Sequence, residues 1–497
     1  MLRLRRAGRD RVASLVRELR RARLRNWGSA LRASMTPRQL LMTARARILI
    51  SRDDLAERGA GRLRDVLYHT ATRVPHYRRA LGLAETGALP SPDEARFSLA
   101  DFPILTKKLR REIPMDELIA RETEGGPSYL VGDDQFYIAR TSGSTGIPTS
   151  HLQTLGDDLF WESVAMMRAL RDWGVPPIGE TYSTGLFRRA QEGSTGLHSS
   201  AREPVDYLTM PGPYVRWNFY ELFQGQARSI AEVPEERLAL YEAMLQASAG
   251  PAALLGAPSR MRGLAQYCRD RGHAVRPKAV LCTYEPLLSA DRSFLSDTFA
   301  APVVSVYSMS DIGTVAWECS GGRLHFDEDL SLPEILGQDD QPVPAGTVGR
   351  VVITALSPRV MPLVRYDTGD LAAFATTPCT CGRTGPSVEA IEGRQVVKFV
   401  AASGRRIEAY LVLRVFDSSG FADFQVVQDR PGDLRVVVAG RPVPADAMAR
   451  VETALADLLG ERFAIALDPS GAFVRTPAGK RNPAVQQWSE VSAEAAS

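Results

Sequence analysis

The sequence has few cysteines, little net charge and no long apolar run, and each shortage excludes a class of protein. Five cysteines among 497 residues are too few for a disulfide framework and indicate a reducing cytosol. A formal net charge of +3 argues against a nucleic-acid partner bound along the whole molecule. No apolar stretch approaches the ~18 residues of a membrane-spanning helix. No apolar segment follows the basic N-terminus, so we expect no secretory signal and a cytoplasmic protein.

The positive charge is concentrated at the N-terminus. Ten arginines lie within the first 30 residues, with leucines and valines between them, and this pattern predicts a basic amphipathic helix in an extension over residues 1–34. Such a helix can bind an anionic membrane or a partner. It can equally pack on its own domain or remain solvated, and the sequence leaves these alternatives open.

The length exceeds that of one ordinary hydrophobic core and predicts at least two domains. Helical spacing covers residues 35–85 and 155–172. From about residue 250, helical stretches alternate with short β-branched runs, which is typical of an α/β domain with a partly parallel sheet. The pattern breaks near 391–394. The remaining ~100 residues predict a compact α+β unit, with strands at 424–427, 434–438 and 463–467 and a helix at 445–459.

A loop rich in glycine and hydroxyl residues follows the strand predicted over residues 135–139. Glycines allow a tight turn, and consecutive amides and hydroxyls can donate hydrogen bonds to phosphate oxygens. The loop lacks the Gly-Lys-Ser/Thr ending of a Walker A motif, and a plain polar connection is the alternative. The candidate phosphate-binding residues are Thr141, Ser142, Gly143, Ser144, Thr145 and Gly146.

This loop resembles the phosphate-binding signature of the adenylate-forming superfamily, which contains acyl-CoA and aryl-CoA synthetases, peptide-synthetase adenylation domains and luciferases. Its ending, Pro148-Thr149, resembles that of the phenylacetate–CoA ligase branch, and residues 68–79 and 102–108 resemble N-terminal segments of the same branch. The resemblance implies an α/β fold: a large, multi-subdomain adenylation domain with mixed sheets and helices, followed by a small mobile α+β lid. The implied boundaries are 35–393 and 394–497.

Two further motifs resemble the family's nucleotide pocket. The run Tyr307-Ser308-Met309-Ser310-Asp311 resembles Tyr-Gly-x-Thr-Glu, which implies that Tyr307 stacks on adenine and that Asp311 helps to hold Mg²⁺, through a water if the shorter side chain requires one. The run Tyr284-Glu285-Pro286 matches the other wall of the adenine site. Asp370 ends a segment resembling Arg-Tyr-x-Thr-Gly-Asp and would accept hydrogen bonds from the ribose hydroxyls. A core tyrosine and a simple turn are the alternatives.

The C-terminal region carries a candidate catalytic lysine. Lys480, in a Gly-Lys motif, resembles the family lysine that bridges the substrate carboxylate and the α-phosphate, although a solvated basic tail is the alternative. Gly393-Arg394 resembles the start of the family hinge, and Arg394 would contact the ATP phosphates. Gln395-Val396 replaces the usual Asp-Asp, and residues 401–408 match the coenzyme A loop poorly. These differences leave the acceptor open.

Four residues have the chemistry of a structural zinc site. Thiolates and imidazole in a group of four suit tetrahedral zinc, and some relatives in the branch carry zinc at matching positions. The alternative is a buried cysteine, a surface histidine and an unrelated turn. The candidate ligands are Cys319, His325, Cys379 and Cys381.

Together these features predict an enzyme that uses Mg-ATP to activate a carboxylic acid as an acyl-adenylate and then transfers the acyl group. Lys480, Thr145 and Asp311 would be catalytic. Branch membership implies an aryl or related small acid and CoA, yet the pocket's mixed polarity leaves aryl, amino and fatty acids open. An amine, a carrier-protein thiol or another nucleophile as acceptor, and a catalytically silent nucleotide-binding scaffold, are the alternatives. The candidate pocket residues are Tyr182, Gly185, Leu186, Phe187 and Ser310.

Overall fold

A computed structural model of the protein describes a large part of the chain. The helices, strands and contacts below belong to that part, and residues outside it are not discussed structurally. The structure describes residues 53–83, 97–120, 136–140, 149–175, 253–309, 311–357, 360–391, 393–394, 398–421, 423–439, 442–460, 462–475 and 481–487.

Helices precede the main sheets. Helix α2 begins at a proline in its first turn, where the missing N–H costs nothing, and it packs against α1 around buried Tyr77. Strands β1 and β2, which precede and follow residues 141–149, pair antiparallel. Strand β1 lies within one residue of the strand predicted before the loop, over residues 135–139. The elements are α1 (Asp53–Arg73), α2 (Pro75–Ala80), α3 (Lys107–Glu112), β1 (Phe136–Arg140), β2 (Ser150–Thr154) and α4 (Leu155–Asp172), with short 3₁₀ turns at Leu99–Asp101 and Met115–Glu117.

A six-stranded sheet forms the centre of the described structure. Its order is β11-β7-β6-β5-β4-β3; β3, β4 and β5 are parallel and the other pairs antiparallel, which confirms the partly parallel sheet predicted from the sequence. Helices α5 and α6 cover one face around Phe299, whereas α4 covers the other around Val304. The elements are β3 (Ala253–Gly256), α5 (Pro258–Arg271), β4 (Ala279–Cys282), α6 (Ser289–Phe299), β5 (Val303–Met309), β6 (Gly313–Glu318) and β7 (Leu324–Phe326).

A second sheet packs beside the first and shares a core with it. Its order is β12-β10-β9-β8, all antiparallel, and its core includes buried Tyr366 together with Phe326 from the six-stranded sheet. Strand β10 is bulged between Asp367 and Leu371. The remaining strands of these two sheets are β8 (Ser331–Leu336), β9 (Gly349–Ala355), β10 (Tyr366–Ala372), β11 (Ser387–Val388) and β12 (Gly393–Arg394).

The described residues between 398 and 487 form a C-terminal unit with its own core. A four-stranded sheet of order β17-β16-β15-β18 packs its apolar face on two helices around Phe416 and Phe424. The predicted strands and the predicted helix of this unit are confirmed to within two residues. Its elements are β13 (Lys398–Val400), β14 (Arg406–Glu408), α7 (Ala409–Ser418), β15 (Asp423–Gln428), β16 (Asp433–Ala439), α8 (Ala447–Leu459), β17 (Ala464–Asp468) and β18 (Ala484–Gln486).

Within the described ranges, none of the helices combines the length and the apolar character that crossing a bilayer requires.

Candidate active site

Part of the candidate site lies within the described structure and part does not. The described part contains the adenine and ribose motifs, the four candidate metal ligands and, for Arg394, the backbone. The phosphate-loop residues 141–146, the candidate pocket residues, Lys480 and the extension 1–34 lie outside the described residues.

Tyr307 and Asp370, predicted separately as adenine and ribose contacts, lie side by side. The phenol of Tyr307 donates a hydrogen bond of 2.8 Å to Oδ2 of Asp370. The Tyr307 ring is half-buried and meets Phe326 edge-on, at 6.5 Å between centroids. One end of the ring therefore rests on the core while its hydroxyl orients a carboxylate. Asp370 is also directly opposite Arg394 in the β10–β12 ladder.

Local turn chemistry places Asp370 within the bulged strand. The amide of Gly369 donates to Oδ1 of Asp367 at 2.8 Å, and the amide of Asp370 donates to Oγ1 of Thr368 at 3.1 Å. Gly369 has φ of +70°, a conformation that favours glycine. The Asp, Thr and Gly residues thus form both a turn-like bulge and a strand, so the turn that the sequence suggested is part of the site's construction.

A lysine that the site prediction missed also contacts this bulge. Nζ of Lys107 donates to the carbonyl of Thr368, and a Cβ at Gly369 would lie 3.5 Å from the same Nζ. Lys107 belongs to the segment 102–108, which carried only a family resemblance. A cation beside the ribose motif was not predicted, because the two segments are 261 positions apart in the chain.

Asp311 is the centre of a buried polar cluster. Its side chain lies next to those of Arg110 (Oδ1 to Nη1, 3.2 Å), His151 (Oδ1 to Nδ1, 3.0 Å) and Tyr366, whose hydroxyl donates to Oδ2 at 2.7 Å. Burial alone raises the pKa of Asp311, but His151, Arg110 and Tyr366 outweigh burial and hold that pKa well below its ordinary range. The carboxylate is therefore ionised and fixed by three neighbours.

This cluster connects the phosphate-loop flank to the rest of the site. Arg110, on α3, also donates to the carbonyl of Ser150 at 2.9 Å, and His151 lies on β2, which begins just after residues 141–149. Sequence reasoning gave no role to Arg110, His151 or Tyr366, although Tyr366 belongs to the segment that resembles Arg-Tyr-x-Thr-Gly-Asp. Their shared partner, Asp311, was the available signal, because a buried carboxylate requires a cation or hydrogen-bond donors nearby.

The second wall of the predicted adenine site follows β4. Oγ1 of Thr283 and Oγ of Ser308 are 2.6 Å apart, so the carboxyl ends of the neighbouring parallel strands β4 and β5 are joined. Ligands commonly bind at such strand ends. Tyr284 comes next, 43% exposed and with φ of +73°, a strained conformation for a residue with a side chain. Glu285 accepts a hydrogen bond from the amide of Ser259, at 3.3 Å.

The four candidate metal ligands converge. Their ligand atoms all lie within 4.8 Å of one another; Sγ of Cys319 is 3.5 Å from Sγ of Cys379, and Sγ of Cys381 is 3.4 Å from Nε2 of His325. Zinc bonds of ~2.0–2.3 Å in a tetrahedron place ligand atoms at roughly these separations. Gly321 permits the approach, because a Cβ there would lie 2.6 Å from Oγ1 of Thr380.

Comparisons with known proteins find similar ligases, although no protein-family model matches the chain. The chain is 28% identical over 461 residues to phenylacetate-coenzyme A ligase of Thermus thermophilus, covering 84% of this chain and 93% of that protein. It is 28% identical to the ligase of the same name from Escherichia coli, covering 69% and 71%. A solved 2-hydroxyisobutyryl-CoA ligase in the postadenylation state matches with a TM-score of 0.59 at 18% identity, covering 89% of this chain and 91% of that one.

The structural likeness identifies the fold as that of the adenylate-forming ligases, and the expected α/β fold class is confirmed. The sequence likeness is more specific. Both relatives are named phenylacetate-coenzyme A ligase, which supports the resemblance to the phenylacetate–CoA ligase branch of the adenylate-forming superfamily.

Proposed function

We propose that the protein activates a carboxylic acid with Mg-ATP, releases pyrophosphate, and transfers the acyl group from the adenylate to the thiol of coenzyme A. The observation that carries the proposal is the hydrogen bond between Tyr307 and Asp370, which places the predicted adenine and ribose residues side by side. The similar proteins named phenylacetate-coenzyme A ligase support both the acid activation and the acceptor. A carboxylate fixed beside an aromatic ring suits a nucleoside.

Each nucleotide residue then has a distinct task. Asp370, oriented by Tyr307, accepts hydrogen bonds from the ribose hydroxyls, and the Tyr307 ring offers its face to adenine. Tyr284 and Pro286 form the opposite wall. Residues 141–146 and Arg394 bind the phosphates, and Lys480 lies between the attacking carboxylate and the α-phosphate. Positioning and charge neutralisation then supply most of the rate, because the transferred phosphorus needs little covalent help.

The geometry favours contact between Asp311 and Mg²⁺ through a water molecule over direct coordination. Both of its oxygens already have neighbours: Oδ1 faces Arg110 and His151, and Oδ2 accepts from Tyr366. Magnesium keeps several waters in most protein sites, so one of them can bridge to a carboxylate held in this way. The principal task that we assign to Asp311 is to hold the strand that follows the phosphate loop.

We assign the cluster of three cysteines and His325 to a structural zinc ion. Four protein ligands leave no open position, so the ion would brace the loop after β10 against β6 and β7 and supply no reactive group. The acid remains an aryl or related small acid in our proposal, in line with the names of the relatives. A cytoplasmic location and contact of residues 1–34 with a membrane or partner remain predictions.

The experiment is pyrophosphate release with Mg-ATP across a panel of aryl, amino and fatty acids, followed by thioester formation when CoA is added. We expect release with an aryl acid that collapses in Lys480→Ala and Asp370→Asn, both of which should still fold. Adenylate formation without any response to CoA would mean that the acceptor is a nucleophile other than CoA. Tight ATP binding without release on any acid would instead support a silent nucleotide-binding protein.

A further inference from the structure

The two ends of the chain segment that carries Lys480 are held together on the C-terminal unit. Arg475 and Arg481 form an isolated antiparallel bridge across residues 476–480. The amide of buried Gln425 donates to the carbonyls of Val474 and Asn482, at 2.8 and 2.6 Å, and its Oε1 accepts from the amide of Val474 at 2.7 Å. We call residues 474, 475, 481 and 482 the loop base. Gln425 fixes this loop base to the core strand β15.

Arg481 connects the loop base to the predicted adenine wall. Its side chain is buried, pairs with Asp423 and stacks over the Phe473 ring, 4.5 Å from the centroid. Its backbone amide donates to Oε1 of Glu285 at 3.2 Å. Since Oε2 of Glu285 accepts from the amide of Ser259, one carboxylate joins the start of α5 to the loop base. The residue next to Lys480 is thus attached to the nucleotide side of the molecule.

Contacts of Arg262 with Asp423 and of Ser289 with Asp417 also join helices α5 and α6 to the C-terminal unit, and Asp291 holds Arg262 in place. Nε of Arg262, on α5, lies 3.6 Å from Oδ2 of Asp423, and Nη1 of Arg262 lies 2.9 Å from Oδ1 of buried Asp291. At the start of α6, Oγ of Ser289 donates to Oδ1 of Asp417 at 2.7 Å. The Arg262 pairs have little exposure and therefore hold their geometry better than surface pairs, which are weak and screened by salt, whereas the Ser289–Asp417 hydrogen bond is exposed.

We propose that Arg481 and Glu285 are positioning residues for adenylation: they hold the base of the Lys480 loop against the adenine wall while the acid attacks ATP. The inference rests on the proposed function and extends it to a difference between the two half-reactions. In this family the small domain rotates between the steps, so contacts of the loop base with Glu285 serve the first step and must break for the second.

The test measures adenylation and thioester formation separately in two variants, Arg481→Gln and Arg262→Gln. Arg262 lies on the large-domain side and Arg481 on the other, and neither touches a reacting atom. Arg481→Gln keeps the backbone hydrogen bond to Glu285 but removes the ion pair with Asp423 that supports it, and Arg262→Gln removes the contact of α5 with Asp423. The loss of either charge-assisted contact predicts about a tenfold fall in pyrophosphate release. Thioester formation from supplied acyl-adenylate and CoA should be unchanged. The matched control is Arg430→Gln, because Arg430 is 77% exposed and pairs with Asp433 inside the C-terminal unit.

Two results would overturn the proposal: an equal loss in both half-reactions, which indicates general damage, or pyrophosphate release equal to that of the Arg430→Gln control. The conservative Arg481→Lys should restore part of the release, since it keeps the charge beside Asp423. That rescue distinguishes a positioning role from a loss of folding.

A second readout does not depend on activity. In Ser289→Cys/Asp417→Cys, a short thiol-to-thiol cross-linker should join the two new cysteines, and adding Arg262→Gln should slow the cross-linking. Cross-linking no faster than in the two single-cysteine variants would overturn the contact itself. If the double-cysteine variant cross-links in this way but the wild-type protein releases no pyrophosphate with any acid, the proposed function fails while the contact stands.

Discussion

The hydroxyl of Tyr307 and the carboxylate of Asp370 form a 2.8 Å hydrogen bond between β5 and β10, strands that belong to different sheets. The two residues come from motifs 63 positions apart, and each was predicted to contact a different part of the nucleotide. A hydrogen bond between them means that the orientation of the ribose acceptor depends on the adenine residue.

That dependence predicts a graded response to substitution. Tyr307→Phe keeps the aromatic face but removes the donor to Asp370, so we expect the KM for ATP to rise about fivefold, the value of one ordinary hydrogen bond. Asp370→Asn should cost more, because it removes the charge as well. The measurement is pyrophosphate release at varied ATP, with Tyr267→Phe on α5 as the control. An unchanged KM in Tyr307→Phe would contradict the role of this hydrogen bond.

The Asp311 cluster predicts a stability effect with a defined pH dependence. Asp311→Asn leaves the buried charge of Arg110 without its carboxylate partner, which should lower the free energy of unfolding by about 3–5 kcal/mol. Because the pKa of Asp311 is lowered by folding, its contribution is present above the unfolded pKa of ~4 and is lost as the pH falls through the folded value. Wild type should therefore lose more stability than the variant on acidification below pH ~4, measured by urea unfolding.

Asp291 predicts the opposite pH dependence. Burial raises its pKa to about 6, although Arg481 and Arg262 partly oppose the rise. Between pH ~4 and ~6 the unfolded chain has this carboxyl ionised while the folded chain keeps it protonated, so its contribution to stability declines as the pH rises. The free energy of unfolding of Asp291→Asn should therefore rise relative to that of wild type by up to about 3 kcal/mol across that window. Above pH ~6 the difference between the two proteins should be constant. A constant difference between the two proteins from pH 4 to 7 would contradict the raised pKa.

Elements with a strong local pattern could be predicted from the sequence, whereas contacts between distant segments could not. Strand β4 and helix α4 lie where β-branched runs and helical spacing placed them. Strand β18 was missed because three residues, Ala484–Gln486, carry no period; it forms by pairing parallel with β15. Likewise Arg110 contacts Asp311, which lies 201 positions further along the chain, and no local sequence pattern predicts such a contact. Motif resemblance located Tyr307 and Asp370, and their hydrogen bond emerged from the folded chain.

The cysteine and histidine cluster predicts one bound zinc ion per chain, held between the loop after β10 and strands β6 and β7. Cys381→Ser should abolish the zinc detected by elemental analysis of the purified protein and lower the melting temperature, because a structural zinc contributes folding energy directly. A chelator at raised temperature should do the same to wild type. Cys268→Ala is the matched control: its thiol is buried in a different core cluster, so it should cost some stability yet keep the zinc. Wild-type protein without zinc, or a Cys381→Ser protein that retains it in full, would show that the four side chains pack together for another reason, and the bracing of the nucleotide motifs would then rest on the surrounding strands alone.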